Sequence, residues 1–151
     1  MMKKYFIFIV LICSLEFISQ RACADGVYLG GWSHHFNADD FKEHGYDLNE
    51  NHRMVAVEYN NYLAGHFYNS YGDSTYFAAK YFKAFSLGDL EFGANIGASY
   101  GYKFCEHEDR AHENSQLCVM AGPTISYTKY AIQPTLIGLK NGVVFIFKWG
   151  F

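Results

Sequence analysis

The last ten residues, GVVFIFKWGF at 142–151, place Val143, Phe145, Phe147, Trp149 and Phe151 at every second position. Successive side chains of a strand point to opposite faces, so this spacing lines five large apolar groups along one side. In water such a row would invite aggregation, and it therefore requires a covering, either a protein core or lipid. The same period recurs in LEFGANIGASYGYK at 90–103. There Leu90, Phe92, Ala94, Ile96, Ala98, Tyr100 and Tyr102 share one face, while Glu91, Gly93, Asn95, Gly97, Ser99, Gly101 and Lys103 share the other. A soluble sandwich would bury the first face; a membrane barrel would turn it to lipid and keep the small, polar face inside.

Eight alternating segments are expected, at about 26–36, 51–60, 62–71, 74–85, 90–103, 117–127, 129–138 and 142–151. The wealth of aromatics and glycine, 13 Tyr, 14 Phe and 14 Gly against 2 Pro, suits strands with close backbone approach. Several segments have the length a tilted strand needs to cross hydrocarbon, and eight strands close a barrel without an edge. The connections alternate, except that Gly72-Asp73 and Lys140-Asn141 would be outer and yet short. Asn60-Asn61, residues 86–89 and the turn near Thr128 are short, whereas 37–51 and 106–116 are long and charged. The sequence thus predicts an all-β fold, an eight-stranded antiparallel transmembrane β-barrel with its short turns on the side of the termini. Trp32, Trp149 and the tyrosines would form interfacial girdles. The competing architecture is a periplasmic barrel of lipocalin type with the aromatic face inward.

Lys3 and Lys4, the apolar run YFIFIVLICSL and the small residues Ala22-Cys23-Ala24 have the order of a secretory signal peptide. Cleavage is expected after Ala24, leaving residues 25–151 as the barrel domain, exported to the bacterial outer membrane. A lipoprotein would need a Leu at the start of a lipobox, where Ser19-Gln20-Arg21-Ala22 stands instead. Removing residues 1–24 takes Lys3, Lys4 and Arg21 from the 12 basic residues and Glu16 from the 15 acidic ones, leaving 9 against 14. That acidic balance, without a basic run, argues against nucleic acid as a partner. Cys105 and Cys118 remain, flanking one polar stretch of an exported chain, and are expected to form a disulfide rather than a zinc site.

Candidate chemistry lies in two stretches that end at the same rim. GGWSHHF closes the first strand with Trp32, Ser33, His34, His35 and Phe36; HFYNSYGDS carries Asn69 and Ser70 at the end of the third. A Ser activated by a His is the minimum for acyl transfer, because the imidazole takes the hydroxyl proton as the oxygen attacks an ester. A turn built by Asn-Ser-Tyr-Gly is the alternative reading of the second stretch. With WSHH at 32–35 and FYNSY at 67–71, the chain resembles the outer-membrane lipid A palmitoyltransferases, the PagP family. That family is an eight-stranded barrel with an aromatic-x-Asp-Ser-aromatic motif and a catalytic His close behind a Trp. The resemblance implies transfer of an acyl chain from phospholipid to lipid A, with Ser70 nucleophile-like, His34 or His35 the base, and Asn69 in place of the family's acid. The sequence lacks that acid and shows no N-terminal amphipathic helix. The terminal Phe151 with its alternate apolar residues resembles the signal read by the barrel-assembly machinery.

His44, His52, His107 and His112 stand in or beside the long loops with Asp39, Asp40, Glu43, Asp47, Glu50, Glu106, Glu108, Asp109 and Glu113. No fixed ligand spacing links them, so a solvated acidic rim is expected rather than a metal site, and no cofactor is implied. Glu58, Glu91, Lys80, Lys103, Lys129 and Lys148 are expected to form ion pairs in the lumen. Small residues of the fifth segment would leave either a slot for an acyl chain or room for large neighbours. The partners implied are phospholipid and lipopolysaccharide. The alternative function is non-enzymatic: a surface barrel that binds, protects or excludes through its disulfide-closed acidic loop.

Overall fold

The structure, a computed structural model, describes residues 25–36, 38, 47–103, 105 and 116–151. Its strands are β1 (Gly26–His35), β2 (Asn51–Tyr59), β3 (Tyr62–Tyr68), β4 (Ser74–Leu87), β5 (Leu90–Tyr102), β6 (Gln116–Tyr127), β7 (Ile132–Leu139) and β8 (Gly142–Gly150). Each runs antiparallel to the next, and β1 pairs with β8 to close the barrel. Closure satisfies the backbone groups an open sheet would leave at its edges. The expected signal peptide at 1–24 lies outside the described residues, as do most of the first long loop, the stretch 106–115, and His44, His107 and His112 with the acids around them.

Turn chemistry fixes the short connections. Asn60 and Asn61 both have positive φ, 53° and 64°, the geometry of a two-residue hairpin turn matched to strand twist, and Tyr59 pairs with Tyr62 across it. Gly88-Asp89 turns β4 into β5, with Leu87 opposite Leu90. β7 begins at Ile132 rather than near 129. Thr128 donates its backbone N–H, 2.8 Å, and its hydroxyl, 3.0 Å, to the Asp89 carbonyl, which ties the β6–β7 connection to the neighbouring turn.

Alternation decides what faces where. On β8 Phe147 and Trp149 are exposed outside, while Val144 and Ile146 pack inward. Val55, Val57, Tyr62, Phe82, Ile96, Val119, Ile125 and Leu136 extend the outward apolar surface around the barrel. Inside, Tyr28, Ala56, Leu63, Tyr81 and Ile146 form the core cluster. Large groups pack against small ones: a Cβ on Gly93 would run into the Tyr81 ring, and one on Gly97 into Ala79. At these positions the small residues of β5 make room for β4.

The lumen charges pair, with three corrections. Glu58, 2% exposed, accepts a hydrogen bond from the Tyr28 hydroxyl and lies 2.8 Å from the Lys148 ammonium. Glu91 accepts from the Tyr81 hydroxyl at 3.0 Å, and its ion pair is with Lys83 at 2.6 Å. Lys80 points outward instead, its ammonium 4.9 Å from the Tyr62 ring and 5.4 Å from that of Phe82. Lys103 pairs with Asp73 at the rim, 3.5 Å away, and Lys129 sits in the β6–β7 connection beside Tyr130. Aromatics of STYFAAKYFKAFSL occupy both parities of β4, so the strand offers no alternation by which to choose Lys83 over Lys80.

Bulges break the alternation on β1 and β5 at the end away from the termini, and on β4 between Lys83 and Phe85 near the β4–β5 turn. Gly30 and Gly31 have φ of 96° and 99°, and the register of β1 slips between Gly30 and Trp32 against both neighbours. Counting by twos from Tyr28 would turn Trp32 and His34 inward; the slip instead turns Gly31, Ser33 and His35 in and Trp32 and His34 out. Gly101, φ 137°, does the same on β5. Tyr102, expected on the outward face with Tyr100, instead meets the inward Phe67, ring centroids 6.3 Å apart.

Candidate functional site

The parity change on β1 assembles the site. Ser33 and His35, two apart on one strand, share the lumen face, are 7% and 9% exposed, and lie 3.1 Å apart from Oγ to Nε2. On the adjacent strand His52, 6% exposed, faces the same space beside Gly31. Its Nδ1 lies 2.7 Å from the Tyr68 carbonyl oxygen. A carbonyl only accepts, so Nδ1 carries the hydrogen and Nε2 of the neutral ring presents a lone pair. That Nε2 is buried and has no hydrogen-bond partner among the described residues. Phe67 meets the His52 ring edge-on, centroids 6.2 Å apart, which fixes the imidazole from the side as the backbone fixes it from behind.

The other predicted site residues fall elsewhere. His34 points outward and is exposed, edge-on to Phe36 at 5.9 Å. Asn69, fully buried, accepts at Oδ1 from the backbone N–H groups of Tyr71 at 2.9 Å and Asp73 at 3.0 Å. Its Nδ2 donates to Thr75 Oγ1 at 3.1 Å and to the Gly101 carbonyl at 3.3 Å. Its side-chain hydrogen bonds hold the β3–β4 turn and tie it to β5, and none is directed to a histidine. Ser70 follows in that turn, where its carbonyl accepts from the Asn49 N–H at 2.7 Å; no hydrogen bond joins its hydroxyl to His34 or His35. The hydroxyl beside His35 is that of Ser33.

Sequence reasoning named Ser33 only as part of the GGWSHHF stretch and His52 only among the histidines in or beside the long loops, and gave neither a catalytic role. Both had a signal: the Gly30-Gly31 pair inside an alternating segment marks a bulge, and counting back by twos from the inward Glu58 through Ala56 and Met54 reaches His52.

A second imidazole–hydroxyl pair lies on the outward face. His66 Nε2 is 2.6 Å from Ser74 Oγ, and the ring is flanked by Tyr68 and Tyr76 at 5.3 and 5.0 Å. Cys105 and Cys118 form the expected disulfide. Among the described residues no three His, Cys, Asp or Glu side chains gather as a metal site. No family model, curated protein or solved structure matches the chain.

Proposed function

We propose that the protein is an outer-membrane barrel that transfers acyl chains between lipids, in the manner of the PagP-like enzymes its motifs resemble. The outward apolar surface, with Trp32, Trp149 and the tyrosines on it, supports a bilayer setting. A channel is disfavoured, because Tyr28, Glu58, Lys148, Tyr81, Glu91 and Lys83 fill the lumen toward the termini with paired side chains. Lateral entry is favoured at the β6–β7 seam, where Pro123 and Pro134 have no N–H to give and only Thr124, Ile125 and Ser126 pair across.

The observation that carries the reading is the Ser33–His35 pair in the lumen at the far end. His35 Nε2 takes the Ser33 proton as Oγ attacks the acyl carbonyl of a phospholipid. The ester C–O bond breaks, and the proton passes to the departing glycerol oxygen. A hydroxyl of lipid A then takes the chain from Ser33. The test is a mass spectrum of lipid A and phospholipids from cells expressing wild type, Ser33→Ala or Ser70→Ala, once all three are shown to assemble. An added acyl chain with wild type and Ser70→Ala, absent with Ser33→Ala, is expected. Loss with Ser70→Ala alone would return the nucleophile to the turn, and an unaltered lipid profile in every strain would end the transferase reading. The disulfide at the root of the 106–116 loop supports the second reading, a surface barrel acting through that loop, which deleting the loop would abolish.

A further inference from the structure

The proposed transfer abstracts a proton twice, first from Ser33 and then from the hydroxyl that receives the chain, which comes from a different direction. We infer that His52 binds the acceptor's hydroxyl and removes its proton in the second half of the reaction, an inference that rests on acyl transfer through Ser33. A buried nitrogen without a partner costs about 1–3 kcal/mol, yet the fold holds one here with its tautomer fixed by the Tyr68 carbonyl. A ligand hydroxyl donating to Nε2 would satisfy it. The position fits: His52 lies beside Gly31, the inward residue immediately before Ser33 on β1, so a group on its Nε2 approaches the acyl-serine from the neighbouring strand. Phe67 packs edge-on against the His52 ring, and Met54 and Ile146 line the space over Gly31 beside it.

The step balances. The acceptor O–H proton moves to His52 Nε2 as its oxygen attacks the acyl carbonyl carbon. The bond from that carbon to Ser33 Oγ breaks, and the proton on Nε2 passes to the departing serine oxygen. The acceptor class is therefore an alcohol, such as a sugar or hydroxyacyl hydroxyl, with water as the slow alternative.

The test is His52→Asn in the full-length, membrane-assembled protein, because the Asn amide occupies the place of Nδ1–H and keeps a donor for the Tyr68 carbonyl while removing the base. Intact-protein mass spectrometry after mixing with phospholipid should show acyl-Ser33 accumulating in His52→Asn, with release to the acceptor slowed about 100-fold, at the lower end of what a general base supplies. Hydroxylamine, a nucleophile that needs no base, should discharge the variant as fast as wild type. Full turnover by His52→Asn would overturn the inference and leave the transferase reading standing, as would failure of the assembled variant to acylate Ser33 at all. If His52→Asn does not assemble, His52→Gln is measured in the same way. A wild type that neither modifies lipid nor forms an acyl-serine would overturn both proposals.

Discussion

The two ends of the lumen are built from similar residues and opposite logic. Toward the termini, Glu58 and Glu91 are each matched by a cation and a tyrosine hydroxyl, so both charges have partners, while the neutral Asn95 Oδ1 and Thr124 Oγ1 on β5 and β6 are buried without one among the described residues. At the far end, Ser33 and His35 are paired with one another, and His52 keeps one nitrogen bonded and the other open. A satisfied network rigidifies a barrel and gives nothing to a ligand. An unsatisfied buried nitrogen is a cost that the rest of the fold must carry, and costs of that kind are expected where a molecule binds. The backbone draws the same distinction: β1 pairs without interruption beside Tyr28 and slips at Gly30-Gly31, where the site begins.

The sharpest way to break the comparison is to unpair the satisfied end. Glu58→Ala leaves Lys148, 16% exposed in its side chain, without its counter-ion, and should destabilise the barrel by about 3–5 kcal/mol. The readout is the urea midpoint of the folded band on a semi-native gel. Replacing both partners, Glu58→Leu with Lys148→Met, should recover most of that loss, because the cost lies in the stranded charge. Should the double variant fall as far as the single one, the Tyr28 hydroxyl would be the partner that matters.

A smaller effect is expected at the rim. Asn69→Ala removes two acceptor and two donor contacts of the β3–β4 turn and strands buried backbone N–H groups, a loss of about 1–3 kcal/mol. Ser70→Ala, one residue on, should change the midpoint by less than about 0.5 kcal/mol. Equal losses at the two positions would mean that the serine also holds the turn.

At the site itself the order of effects reverses. Ser33→Ala should cost no more than about 1–3 kcal/mol, because it leaves the buried His35 Nε2 without its partner, and His52→Asn no more than about 1 kcal/mol, because it keeps the bond to Tyr68. Both should nevertheless remove lipid modification. A large stability loss with activity retained would assign these residues to the framework, like Glu58.

Alternation made the barrel legible because a two-sided wall imposes a period of two on every strand. It placed Phe147 and Trp149 outside and turned Glu58 inward with Lys148. Legibility failed wherever the backbone departs from that period. Two glycines with positive φ reverse the parity of Ser33, His34 and His35, and a third reverses that of Tyr102. A motif match to FYNSY concerns residue types, and it could not reveal that the Asn69 side chain accepts from its own turn and donates to Thr75 on β4 and to the Gly101 carbonyl on β5. The bulges of β1 and β5 lie at the end where the site is and re-aim its side chains, whereas the slip between Lys83 and Phe85 on β4 lies at the opposite end beside the β4–β5 turn.

The smallest effect is expected on the outer wall, where His66 and Ser74 form a shorter imidazole–hydroxyl contact than the pair in the lumen, 2.6 against 3.1 Å. Distance alone would favour His66. Its surroundings do not: Tyr68 and Tyr76 flank the ring, and the second imidazole that the lumen pair has beside it is missing from the contacts of His66 among the described residues. In the bilayer setting proposed above, an aromatic-flanked histidine on the outward face near the rim would belong to an interfacial girdle. Ser74→Ala should therefore leave both lipid modification and the urea midpoint unchanged within error. A drop in modification with the barrel intact would shift the chemistry to the lipid-facing wall, and parity would then have pointed to the wrong pair.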